Sequence, residues 1–267
     1  VTSKIAPSSS APTASRGAVW AARGIAVVSA LFWGVLFFGI VDLGTAVLQD
    51  ERFYEHYLVE AGWGLLYTVL VMLPLLVWAV SVRSVVLLQQ LLATAGAVLL
   101  AALAGAALGQ VLPAVFLALS AVVPALLARR SLRLPRVALS WLHPLLALLA
   151  GVALVGGVAY TVLVLRASYA GVPDDDTWGL MHLPMQAGLA LAIAATTAVV
   201  ALAQAAGRER WRVGTVFPAV AAGALGAFSL AYPDHLASLG TVGGALALAW
   251  AVALLTSGLV VRDRATG

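Results

Sequence analysis

Long apolar runs separated by short clusters of charge set the pattern of this chain. Residues 24–48 form the first run, interrupted only by Asp42, and residues 61–82 form the second, bounded by Glu60 and Arg83. From 84 to 128 there is no charge at all, too long a stretch for one crossing at about 1.5 Å rise per residue. Gly109-Gln110 and Pro113 mark a turn that divides it into 85–108 and 111–128. After a basic loop with Arg129, Arg130, Arg133 and Arg136 come the runs 137–165, 178–204, 215–232 and 236–261.

Runs of this length cross about 30 Å of hydrocarbon as helices. Only helices and closed barrels satisfy their backbone polar groups in that medium, and barrels carry short alternating strands instead of continuous apolar runs. The pattern therefore predicts an all-α polytopic membrane bundle of eight transmembrane helices, forming one domain over 18–267. Residues 1–17, rich in Ser, Ala, Pro and Thr, are expected to form a disordered cytoplasmic tail. The first run exceeds the ~7–15-residue core of a signal peptide and no A-x-A-like cleavage site follows it, so it is read as a span.

Composition agrees. The chain of 267 residues is 63% hydrophobic and 10% charged, where soluble domains carry about a quarter charged residues. Cysteine is absent, which excludes disulfides, thiolate metal sites and cysteine nucleophiles. The net charge of +4 points to a basic membrane face and not to a nucleic-acid partner.

Charge also orients the bundle. With the N-terminus inside, 13 of 15 Lys and Arg residues fall on the cytoplasmic side, leaving Arg52 and Arg166 outside. Acids sort the other way: Glu209 and Asp263 lie inside, and the other nine lie outside or near the outer end of a span. The totals are +11 inside and −7 outside. Lys/Arg bias is the established topology signal, and one span more or fewer would scramble it. Both termini are thus expected in the cytoplasm. The Arg-over-Lys, Ala/Leu/Val-heavy usage reads as a bacterial plasma-membrane protein.

A shift of 115 residues lays Glu60, Trp63-Gly64-Leu65 and Tyr67 on Asp175, Trp178-Gly179-Leu180 and His182. With four spans per half, that echo would make a parallel 4+4 repeat with halves 18–130 and 131–267. A three-residue match also arises readily by chance in so Ala/Leu/Gly-rich a chain, and the 204–213 loop has no counterpart after the second run.

Candidate chemistry concentrates on the outer side, in and around residues 174–186, where three acids, a Trp, a His between two Met residues and a Pro are set in apolar surroundings. His182, Met185, His56 and His235 are candidate metal ligands, because imidazole suits zinc or copper(II) and a thioether adds a soft donor. His182 and Met185 are spaced i,i+3 and share a helix face. Against this, no H-E-x-x-H-type spacing occurs, and interfacial histidines are commonly just hydrogen-bonded. His143 is expected at the inner end of its span, too distant in depth from His182 for the two to ligate one haem.

Ionisable groups inside a membrane are costly and mark functional sites by default. Asp42, Glu60, Tyr67, His182 and Gln186 are accordingly read as a substrate or ion pathway. Asp42 could pair with Arg166, bind a cation, relay protons with Glu60 and His182, or simply be solvated. Gln89, Gln90, Gln186 and Gln204 serve equally well as contacts between helices. Residues 49–60 suit a short interfacial helix. Gly105–Gly109 and Gly240–Gly244 match the small-xxx-small packing pattern.

No phosphate-binding lysine loop, dinucleotide glycine motif or G-x-S-x-G elbow is present. The leading reading is an integral membrane protein that binds or transports a cation, metal or small solute through an outer-facing polar site. The alternatives are a membrane-embedded redox or other enzyme using outer-face His and acids, with a quinone as one partner, or a non-catalytic assembly subunit. The expected partners are the lipid bilayer and a second copy or another membrane protein. No motif specifies a cofactor.

Overall fold

The computed structural model describes residues 14–49, 51–82, 84–130, 132 and 137–261. Residues 1–13 of the expected tail lie outside them, as do Lys4, Arg83, Arg133, Arg136, Arg262, Asp263 and Arg264 of the charge sorting. The described residues form nine helices, eight of them long and apolar enough to cross a membrane. These are α1 (Arg16–Leu36), the shorter α2 (Gly39–Leu48), α3 (Tyr54–Ser81), α4 (Val85–Ala104), α5 (Leu108–Leu127), α6 (Pro144–Tyr169), α7 (His182–Ala205), α8 (Trp211–Ala231) and α9 (Gly240–Val260). An integral membrane protein of several spans follows directly.

Local chemistry sets the helix starts, and several differ from the hydropathy boundaries. α1 begins inside the expected tail because the Ser15 hydroxyl accepts from Ala18 N–H at 3.2 Å, an N-cap. α6 begins at Pro144 and not at 137. Proline lacks the N–H that a first helical residue leaves unused, and it holds His143 extended. α7 begins at His182 and not at Trp178, because Asp176–Thr177 (β1) and Leu180–Met181 (β2) pair antiparallel around a tight turn. Trp178 and Gly179 occupy that turn with φ of 59° and 75°, the left-handed pair that short hairpins require. A 3₁₀ turn over Glu51–His56 overlaps the start of α3 and runs straight into its α-helical part from Tyr57.

The first run also departs from expectation: it is broken. Phe38 takes φ +62°, costly for a bulky residue by about 1–2 kcal/mol, and α2 restarts at Gly39. Aromatic packing holds the break. The Phe37 ring meets Trp33, Trp63 and Tyr67 with centroids 4.9, 5.1 and 4.7 Å away. The Phe37 carbonyl, freed by the break, accepts from Trp63 Nε1–H at 2.9 Å. Both helices that meet here widen into π-helical turns, over Phe32–Leu36 and Leu65–Met72, and Trp33 stacks on Tyr67 between them at 5.1 Å and 6°. Such turns recur at functional sites.

α3 and α7 form the centre of the bundle, 72% and 78% buried over their most apolar windows, against 28% for α1, α6 and α9. α2 runs antiparallel along the N-terminal half of α3, and Gly64 lies directly against Leu43. α4 and α6 flank α7, and α8 packs on α7 and on α9. Gly226 and Gly244 let α8 and α9 approach until an added Cβ on either would stand 2.7–2.8 Å from the other's carbonyl oxygen. The two echoed segments differ locally: Trp63 is buried within α3, whereas Trp178 is exposed in the hairpin turn.

Gly64→Ala tests the α2–α3 contact, because the new Cβ would lie 2.3 Å from the Leu43 backbone nitrogen. It should destabilise the protein by at least the ~1–3 kcal/mol of an overpacked core, lowering the melting temperature in detergent. Gly96→Ala, with nothing within 4 Å, should be neutral or slightly stabilising. Equal melting of the two variants would contradict the close approach.

Candidate functional site

The break between α1 and α2 delivers Asp42 to the N-terminal half of α3, facing α7. Asp42 lies in the first turn of α2, Glu60 in the first α-helical turn of α3, and His182 is the first residue of α7. One ligand atom from each lies within 4.8 Å of the other two. All three are buried, at 5%, 4% and 1% exposure. Helix N-termini favour negative charge, so three of them meet two carboxylates here.

The hairpin positions the histidine. His182 N–H donates to Asp175 O at 3.1 Å, and Leu183 N–H donates to Asp174 Oδ2 at 2.7 Å, capping α7. Asp176 Oδ1 accepts from Gly179 N–H at 2.7 Å, which braces the turn. Gln110 Nε2 donates to Met181 O at 2.6 Å. On the imidazole, Nε2 is 2.9 Å from Thr177 Oγ1, and the Thr177 hydroxyl donates onward to Asp42 Oδ2 at 3.4 Å. Nδ1 stands 3.1 Å from Glu60 Oε1, an ion-pair distance, outside the geometry of a hydrogen bond. Trp63 covers the ring, its centroid 4.7 Å away.

Of the residues singled out in the sequence, Asp42, Glu60 and His182 come together. Tyr67 and Met185 lie deeper and meet each other, the Tyr67 hydroxyl 3.1 Å from Met185 Sδ. Gln186, one turn below His182, crosses over Gly62, where a Cβ would collide with its Oε1, and donates to Tyr160 Oη at 2.8 Å. Tyr160 in turn donates to Ala237 O. His56 and His235 line a separate cleft of about 420 Å³, with Tyr54, Glu55 and Asp234. The His235 ring rests among Tyr54, Tyr57 and Tyr232.

That cleft borders the buried cluster along the chain. Its wall at Tyr54–His56 leads into Glu60, and its wall at Val172 and Pro173 leads into Asp174 and Asp175. Asp174 lies close enough to feel both His56 and His182, and the Asp175 side chain reaches Glu60. Sequence reasoning gave no site role to Thr177, Trp63 or Tyr160. The Thr177-Trp178-Gly179 turn was a signal for Thr177, because a residue paired beside a tight turn has its direction fixed; Trp63 and Tyr160 had none beyond type.

No protein-family model, curated protein or solved structure matches this chain. The geometry of the site therefore carries the functional argument.

Burial pushes the Asp174 carboxyl above its ordinary value, against the opposing pull of Leu183 N–H and the nearby His182 and His56. The folded carboxyl thus holds its proton more tightly than the unfolded one. Its contribution to stability is complete below the ordinary value of 3.8 and is lost as pH rises through the raised folded value. Asp174→Asn keeps a capping acceptor and removes the titration. As pH is raised from about 4, the melting temperature of the wild type should fall relative to that of Asp174→Asn; parallel curves would contradict the shift.

Proposed function

We propose that this integral membrane protein takes a cation from the outer side into a site made by Asp42, Glu60 and His182. The observation that carries the reading is the convergence of three buried donors within 4.8 Å. Two ionised carboxylates in a low-dielectric interior, with no Lys or Arg among the three groups of the cluster, need a positive charge to offset their desolvation. The outer cleft supports access from outside, since Asp174 and Asp175 stand between its walls and the cluster. The aromatic floor of Trp33, Phe37, Trp63 and Tyr67 closes the site toward the membrane centre. The reading is one of binding.

The sorting of Lys and Arg supports an orientation in a bacterial plasma membrane with both termini in the cytoplasm. Because the chain has no cysteine, Asp234→Cys and Arg208→Cys report it directly. An impermeant maleimide should label Asp234→Cys in intact cells and Arg208→Cys only after permeabilisation. The reverse pattern would invert the site to the inner face.

Binding is tested by calorimetric titration of the purified full chain with sodium, potassium, calcium, manganese and zinc chlorides, beside the Asp42→Asn/Glu60→Gln double variant. At least one cation should bind the wild type at one per chain and the variant about tenfold or more weakly, a loss of about 1.4 kcal/mol or more. Equal binding by both proteins, or no binding by the wild type, would contradict the proposal.

A further inference from the structure

Resting on the cation reading, we infer that the ion is a divalent first-row transition metal of the zinc class. Its ligands are His182 Nδ1 and carboxylate oxygens of Glu60 and Asp42. The hydrogen-bond chain on the other side of the ring leads to this assignment. Asp42, when ionised, only accepts, so the Thr177 proton points to Asp42 Oδ2. Thr177 Oγ1 must then accept from His182 Nε2–H across their 2.9 Å contact. On a neutral ring the Nδ1 lone pair then faces a Glu60 oxygen 3.1 Å away, buried and outside hydrogen-bond geometry.

Two lone pairs approach so closely only around positive charge, a shared proton or a metal ion. Two donors bound at about 2.0–2.2 Å to one ion, at tetrahedral or octahedral angles, stand about 2.8–3.6 Å apart, and the observed separation of 3.1 Å falls in that interval. An Asp42 oxygen, within 4.8 Å of a ring nitrogen of His182 and of a Glu60 oxygen, completes a three-residue set. Charge favours a divalent ion, which neutralises two carboxylates beside a neutral ring, whereas one proton or alkali ion leaves a net negative charge in the membrane.

Donor type narrows the class. Magnesium and calcium take all-oxygen shells, while imidazole selects transition metals and the mixture with carboxylates suits zinc or its neighbours. The Nε2–H to Thr177 to Asp42 chain is the outer-shell arrangement that fixes the tautomer and orientation of a metal-bound histidine. Three protein ligands leave one tetrahedral position for water or a solute ligand.

Cobalt(II) is the test probe, because its visible absorption reports coordination directly. The purified full chain, stripped with chelator, is titrated with Co²⁺. The absorption should saturate at one ion per chain and be displaced by Zn²⁺. Glu60→Gln and His182→Ala should abolish it, Glu60→Asp should recover part of it, and His143→Ala at the distant inner end should leave it unchanged. Thr177→Val should keep the stoichiometry with affinity about 10–100-fold weaker, and this milder variant decides the matter if Glu60→Gln does not fold. Absence of the absorption in wild type, or its persistence in both Glu60→Gln and His182→Ala, would overturn the assignment. If sodium, potassium or calcium still bind in a way that needs Asp42 and Glu60, only the metal class falls. If no cation binds, the cation reading falls with it.

Discussion

Two carboxylates held out of water beside one imidazole form the constraint on which the junction of α2, α3 and α7 depends. Asp42 and Glu60 are at most 5% exposed, and unbalanced buried charge of this kind is expensive. Much of the irregular structure serves to bring them together. The chain breaks at Phe38 so that α2 can restart and turn Asp42 toward α3 and α7. Gly64 admits the α2 backbone at a distance no larger residue would allow. The hairpin at 176–181 then sets Thr177 between Asp42 and His182.

Around that polar centre the packing is aromatic. Trp33, Phe37, Trp63 and Tyr67 interlock at centroid distances of 4.7–5.1 Å, across two facing π-helical turns. Large rings exclude water below the site and strengthen every electrostatic contact above it. Trp63 has two roles: its indole N–H anchors the Phe37 carbonyl, and its face covers His182. The helix break and the site are therefore one structural unit.

The spans were legible because length and apolarity alone decide what crosses a bilayer, and all eight were recovered. Their ends were less so, for local reasons: Ser15 caps α1 earlier than hydropathy suggests, Pro144 delays α6, and the Trp178-Gly179 turn delays α7. The break at Phe38 had no reliable local marker, since it is held by rings that arrive from α3. At the site, Asp42, Glu60 and His182 were each recognisable as costly residues in a membrane. Their meeting depends on contacts between residues more than a hundred positions apart, which spacing along one chain does not encode. The same limit explains why His56 and His235, similar in type to His182, sit in a different cleft, and why Thr177 passed unnoticed.

The central claim is that an ion occupies the space shared by Asp42, Glu60 and His182. Anomalous diffraction at the zinc edge, from crystals of the full chain grown with zinc, measures this most directly. The account predicts one strong peak about 2.0–2.2 Å from His182 Nδ1 and from oxygens of Glu60 and Asp42. No peak there, with His182 and Glu60 joined by a direct hydrogen bond, would contradict it.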